Sequence, residues 1–130
     1  MPFSYVVYKN HRLVVSTGTG RVTYDEIKAR QDQTKSDPDF NSDFNQIVDL
    51  RAATTVDLTV DQARELASRN IFSSTSRRAF IATTPAVFGM GRMWESYTEI
   101  AQKISQIRIF SDLLSAMDWL ELKDKVDFLD

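Results

Sequence analysis

The chain holds one histidine, His11, so any acid–base chemistry centred on an imidazole rests on that residue. It lies in Lys9-Asn10-His11, between two alternating apolar segments, Ser4-Tyr5-Val6-Val7-Tyr8 and Arg12-Leu13-Val14-Val15-Ser16-Thr17. That arrangement reads as an antiparallel hairpin, with Asn10 supplying the positive φ that tight turns need. The start of a second strand is also the wrong end of an open α/β sheet, which gathers ligands at the carboxyl ends of its strands. His11 therefore reads as a turn residue. Cysteine is absent, which removes thiolate nucleophiles, thiolate metal sites, Fe–S ligands and disulfides. No HxH or HExxH spacing occurs, and no nucleophile has a base beside it in the sequence. The expectation is a protein with no catalytic residues, no metal and no cofactor.

Three other stretches carry side chains or backbone that could bind. Thr17-Gly18-Thr19-Gly20 offers mobile backbone ahead of a helix, either as a plain turn or as a cradle for an anion. It lacks the third glycine of a dinucleotide fingerprint and the Gly-Lys-Ser/Thr of a P-loop. Asp49 and Arg51 are expected to leave a central strand together, as an ion pair in a loop or as working groups on a rigid scaffold. In Phe88-Gly89-Met90-Gly91-Arg92-Met93-Trp94, two glycines near a helix start cost about 1 kcal/mol each relative to alanine, which a close backbone approach would repay. Phe88 falls opposite the apolar stripe, one turn before Arg92, open to an i,i+4 cation–π contact, to packing on a loop, or to a ligand. The candidate ligand or partner surface is thus Gly18, Thr19, Asp49, Arg51, Phe88, Met90, Arg92 and Trp94.

The elements that must position these residues follow from pattern and caps. Ile47-Val48-Asp49-Leu50, Ala79-Phe80-Ile81-Ala82 and Ile107-Arg108-Ile109-Phe110 are short apolar runs between helical patterns, as parallel strands joined by crossover helices would be. Thr23-Tyr24-Asp25-Glu26 and Thr59-Val60-Asp61-Gln62 match the capping box. Thr84-Pro85 and Ser111-Asp112 mark two further helix starts. The order is β-β-α-β-α-β-α-β-α, an α/β domain with a five-stranded mixed sheet, its first strand antiparallel, and four main helices.

Helical periodicity sorts the faces. Ala63, Leu66, Ala67 and Ile71 share one side of the second helix. Val87, Met90, Met93, Trp94, Tyr97, Ile100, Ala101 and Ile104 form a stripe on the third, and Leu113, Leu114, Met117 and Leu120 line the fourth. The first helix has only Tyr24 and Ile27, continued by Gln31 and Thr34, and should be the least firmly held. The breaker-rich loop from Ser36 to Asn45 carries Phe40 and Phe44, which pin it to the core.

At 130 residues the chain is one domain over 1–130, with 121–130 a tail that frays or docks. Its 42 % apolar fraction supports a core, and 16 basic against 18 acidic residues disfavour a nucleic-acid partner bound by phosphate neutralisation. The start, Met1-Pro2-Phe3-Ser4, lacks the features of a signal peptide, and no run approaches the eighteen apolar residues of a membrane span. A cytoplasmic location is expected, without stable membrane insertion. The stripe of the third helix spans roughly 140°, wider than packing on one sheet face requires. With Phe88 and Trp94 at or beyond its margin, and Val126, Phe128 and Leu129 in the tail, a homodimer is expected through that surface.

The chain resembles the SpoIIAA-like, or STAS-like, proteins, small α/β domains related to bacterial anti-sigma-factor antagonists. The resemblance runs from the hairpin to Trp119-Leu120 and rests on Gly18 to Glu26, Ile47-Val48-Asp49-Leu50-Arg51, Phe88 to Glu95, and Ile109-Phe110-Ser111-Asp112 with Ala116. It implies a non-catalytic binding or regulatory domain acting on a protein partner. Antagonists of this kind are switched by phosphorylation of a serine that follows an aspartate at the exit of the third strand. Here Leu50 and Arg51 follow Asp49, so the switch does not carry over; Thr54 and Thr55 are nearby hydroxyls without the motif. A second similarity of fold, to lipid-exchange domains of the CRAL-TRIO kind, implies a small apolar ligand held beneath mobile helices.

Overall fold

The computed structural model describes residues 2–102 and 106–122. Five strands, β1 (Phe3–Tyr8), β2 (Leu13–Thr23), β3 (Asn45–Asp57), β4 (Arg78–Ile81) and β5 (Ile107–Phe110), form one sheet in the order β1-β2-β3-β4-β5. β1 is antiparallel to β2, and every later pairing is parallel. Among the described residues four α-helices accompany the sheet: α1 (Tyr24–Ser36), α2 (Val60–Ser68), α3 (Pro85–Gln102) and α4 (Leu113–Trp119).

The caps form where the sequence places them. Glu26 Oε1 accepts from the Thr23 N–H (3.2 Å) and hydroxyl (2.9 Å). At α2, Thr59 Oγ1 accepts from the Gln62 N–H (3.1 Å) while Gln62 Oε1 accepts from the Thr59 N–H (3.0 Å). Asp112 Oδ1 accepts from the Ser115 N–H (2.8 Å) at α4. Each such cap stabilises its helix by about 1 kcal/mol and fixes where the chain leaves the sheet.

Side chains alternate across the sheet. Phe3, Val22, Val48, Leu50 and Phe80 pack with Ile27 of α1, Leu66 and Ala67 of α2, and Val87 and Trp94 of α3. Leu13, Ile47, Ala79 and Ile81 point the other way, onto Ala116 and Leu120 next to α4. Three helices therefore cover one face and one short helix covers part of the other. Of the residues expected inside α4, Leu114 is 69 % exposed; Ala116, which the apolar pattern passed over, takes the buried position.

Several expectations are corrected. The Lys9–His11 turn is a short 3-10 helix whose left-handed residue is Arg12 (φ 51°), not Asn10. Thr17-Gly18-Thr19-Gly20 is not a loop; β2 runs through it to Thr23, with irregular pairing between Thr17 and Thr19 and between Gly20 and Arg21. Gly20 absorbs that irregularity at φ +59°. β3 likewise continues past Asp49 and Arg51 to Asp57, so β2 and β3 run on as a parallel ribbon beyond β4.

Gly18 and Gly91 are glycines because of neighbours. A Cβ at Gly18 would lie 2.8 Å from Leu50 Cδ2, 3.0 Å from Val22 Cγ2 and 3.4 Å from Phe3 Cδ1; at Gly91 it would run into Ile109 Cδ1. Gly91 thus provides the close approach of α3 to β5 that its helix-weakening presence implied. Gly89 does not, because nothing lies within 4 Å of its added Cβ. Gly18→Val should accordingly lower the urea midpoint by overpacking, at a cost of about 1–3 kcal/mol. Gly89→Ala should raise it by about 0.5–1 kcal/mol through helix propensity. Equal effects at the two positions would contradict this packing.

Candidate functional site

Between the sheet and the layer of α1, α2 and α3 lies a cavity of about 70 Å³, room for several water molecules. Its floor is Ser16 of β2, Gln46, Val48 and Leu50 of β3, and Arg78 and Phe80 of β4; α1 roofs it with Ile27, Arg30, Gln31 and Thr34. Met90, Gly91 and Trp94 of α3 close one side, and Arg69, Ile71 and Phe72 of the segment after α2 close another.

The wall is mostly apolar, yet it carries three arginines, and no aspartate or glutamate lines it among the described residues. Two of the arginines are engaged. Arg30 Nε donates to the Phe3 carbonyl (2.9 Å) and its Nη1 to Gln33 Oε1 (2.8 Å). Arg69 pairs with Asp32 and donates to Gln31 Oε1 (3.0 Å). Arg78 differs. It is 8 % exposed, its Nε has no hydrogen-bond partner among the described residues, and its guanidinium lies over the Phe72 ring at 5.4 Å.

Burial pushes the Arg78 guanidinium well below its usual value, to about 10. It therefore stays protonated at neutral pH, an uncompensated charge in a largely apolar wall. Beside it in the sheet, Gln46 is its register partner, and Gln46 Nε2 donates to Ser16 Oγ (2.9 Å). Ser16 is itself buried.

The residues singled out in the sequence are not brought together. Met90 and Trp94 line the cavity, and Gly18 lies just behind its wall against Phe3, Val22 and Leu50. Phe88 is not an exposed aromatic; it is half-buried and packs against the core, while Arg92 is exposed. Trp94 is likewise buried, in contact with Phe80. The exposed aromatic margin on which the expected homodimer rested is thus absent among the described residues; Val126, Phe128, Leu129 and Ile104 lie outside them, as do the side chains of Ile100 and Ala101. The loop of Phe40 and Phe44 packs on Phe72 and under Arg12.

Asp49 and Arg51 face away from the cavity, on the side of Ile47, with Thr19 exposed on the neighbouring strand. They bind each other: Arg51 Nε donates to Asp49 Oδ1 (3.0 Å) and Nη2 to Oδ2 (2.8 Å). Partial burial pulls the Asp49 carboxyl upward, but the hydrogen bonds and charge of Arg51 outweigh it and hold the group below its usual range. Among the described residues no three His, Asp or Glu side chains gather as a metal site.

Arg78, Ser16 and Gln46 were passed over in the sequence, where the strand was taken to begin at Ala79. The available signal was parity: Arg78 stands two residues before Phe80 and so shares its inward face.

The chain matches no protein-family model and no curated protein. Among solved structures it is similar to an uncharacterized DUF3478-family protein with a SpoIIAA-like fold from Shewanella loihica PV-4. Identity is 15 %, the TM-score is 0.59, and 91 % of each chain is covered. It is also similar to the anti-sigma factor antagonist SpoIIAA in its unphosphorylated form, at 12 % identity and a TM-score of 0.51 over 93 % of this chain and 99 % of that one. The fold is the SpoIIAA-like α/β fold, as the order of elements implied.

Two outcomes are expected. Arg78→Met should stabilise the ligand-free protein by about 1–2 kcal/mol at pH 7, desolvation relief exceeding the lost stacking on Phe72. Since the folded-state value is depressed, the folded protein releases this proton before the unfolded chain does, so the advantage is full below pH 10 and narrows above it in paired urea titrations. Arg51→Ala should cost less than about 1 kcal/mol, the pair being partly solvated. That cost is present above the ordinary carboxylate value of about 3.9 and is lost as pH falls through the lower folded-state value of Asp49.

Proposed function

We propose that the protein is a non-catalytic binding domain that holds a small, mainly apolar molecule between its sheet and α1–α3. The cavity is the observation that carries this reading. The sequence alone places a protein partner ahead of a ligand; an internal space floored by three strands and roofed by the weakly anchored α1 favours the ligand. Of the apolar groups of α1, Ile27 is the buried one, and the other buried position is Thr34. A roof of that kind opens at little cost, as entry to an internal site requires.

Against catalysis stands the lining itself: among the described residues it includes no histidine, carboxylate or lysine to exchange protons near neutral pH. The reading includes the absence of a phosphoserine switch, because the residue after Asp49 is Leu50, buried in the core. It also includes a cytoplasmic location, which the lack of cysteine fits. Among the described residues no helix is long and apolar enough to cross a membrane.

Native mass spectrometry of freshly purified protein should show the chain carrying a small molecule. Stripped protein titrated with 1-propanol should shift its tryptophan emission through Trp94, and Trp94→Phe should abolish the shift. A bare polypeptide mass together with unchanged emission would overturn the reading.

A further inference from the structure

The lining is not uniform. Val22, Leu50, Val56, Leu66, Met90 and Trp94 give the cavity apolar walls, while Arg78 stands in its floor with its register partner Gln46, which in turn donates to Ser16. A guanidinium this buried, with no acceptor for its Nε among the described residues and no carboxylate in the wall around it, lacks a counter-charge from the described chain. Ser16 adds a second donor. Its Oγ accepts from Gln46, which leaves its own O–H without an acceptor among the described residues.

We propose that the ligand is a small apolar carboxylic acid, its carboxylate seated on Arg78 and the Ser16 hydroxyl and its hydrocarbon body against Leu50, Leu66, Met90 and Trp94. This rests on the reading of the cavity as a ligand site and names the ligand's chemistry. Three observations select it. Arg78 has no carboxylate beside it among the described residues, and guanidinium fits carboxylate in a two-pronged geometry. A monoanion balances Arg78 one for one; Arg69 is already paired with Asp32, and Arg30 donates to the Phe3 carbonyl and Gln33. Finally, about 70 Å³ admits a short body and not a phospholipid. A buried arginine without a counter-charge costs stability, as a group that serves binding does.

Calorimetric titration of the full chain with propanoate, 1-propanol and inorganic phosphate separates the possibilities. Wild type should bind propanoate at least tenfold more tightly than 1-propanol, with phosphate far weaker than either. Arg78→Met should abolish that preference while keeping its affinity for 1-propanol, and Arg78→Lys should restore part of it. Should Arg78→Met lack a cooperative urea transition, the wild-type ratio and its reduction in Arg78→Lys decide the matter. Equal affinity for propanoate and 1-propanol in wild type overturns the carboxylate assignment and leaves the apolar site standing. Phosphate that binds as tightly as propanoate and displaces it also overturns the assignment, making this a site for free anions. Binding of none of the three overturns both this proposal and the ligand reading beneath it.

Discussion

Strand order governs the rest of this molecule. Each parallel crossover moves one step along the sheet in the same direction, β2 to β3 to β4 to β5. Crossovers of this kind have one hand, so a progression that never doubles back delivers every connecting helix to the same face. The helices α1, α2 and α3 all pack there, and only α4, which follows the last strand, reaches the other side. Because the order never reverses, the carboxyl edge has no point where neighbouring crossovers part to leave a crevice. The internal space lies instead beneath the helix layer, where Ser16, Gln46 and Arg78 interrupt a face otherwise lined by apolar side chains.

That layered arrangement also explains the unequal treatment of the cavity's three arginines. Arg30 and Arg69 reach the wall from the helix layer and from the segment after α2, and both find acceptors at its rim. Arg78 enters from the floor. Its strand is flanked by β3 and β5, so its side chain has nowhere to turn except under the helices. A strand in the middle of a sheet fixes a side chain's direction far more tightly than a helix surface does.

Much of this was legible in the sequence, and where legibility ended has physical causes. Helix starts could be read because their signals are local: Thr23 with Glu26, Thr59 with Gln62, and Asp112 each complete their hydrogen bonds within three residues. Strand ends were harder. Gly18 and Gly20 carry the composition of a turn, yet one is small to let Leu50, Val22 and Phe3 close over it and the other bends a ladder that continues. Asp49 and Arg51 read as leaving a strand because charge is scarce inside sheets, but this stretch of β3 has one face that no helix covers. The cavity itself joins Thr34, Gln46 and Arg78 across three elements, and no local pattern encodes such a meeting. Trp94 lies on the stripe the periodicity gives it, but Phe88 was misplaced for a related reason, since a helical wheel gives angles but not how far a sheet wraps around them.

The way α1 is fastened has a thermal consequence. Its ties to the body are largely polar: Tyr5 to Asp37 (2.9 Å), Arg30 to the Phe3 carbonyl, Arg69 to Gln31 and Asp32, and Tyr24 to Glu65. Releasing such a helix uncovers the part of the sheet around Ile27 but not what α2 and α3 hold, so the opening carries a smaller change in heat capacity than unfolding of the whole core. Its free energy then curves less with temperature. The roof and the body of this domain thus follow different stability curves, and cooling that weakens the apolar core weakens the roof's attachment less.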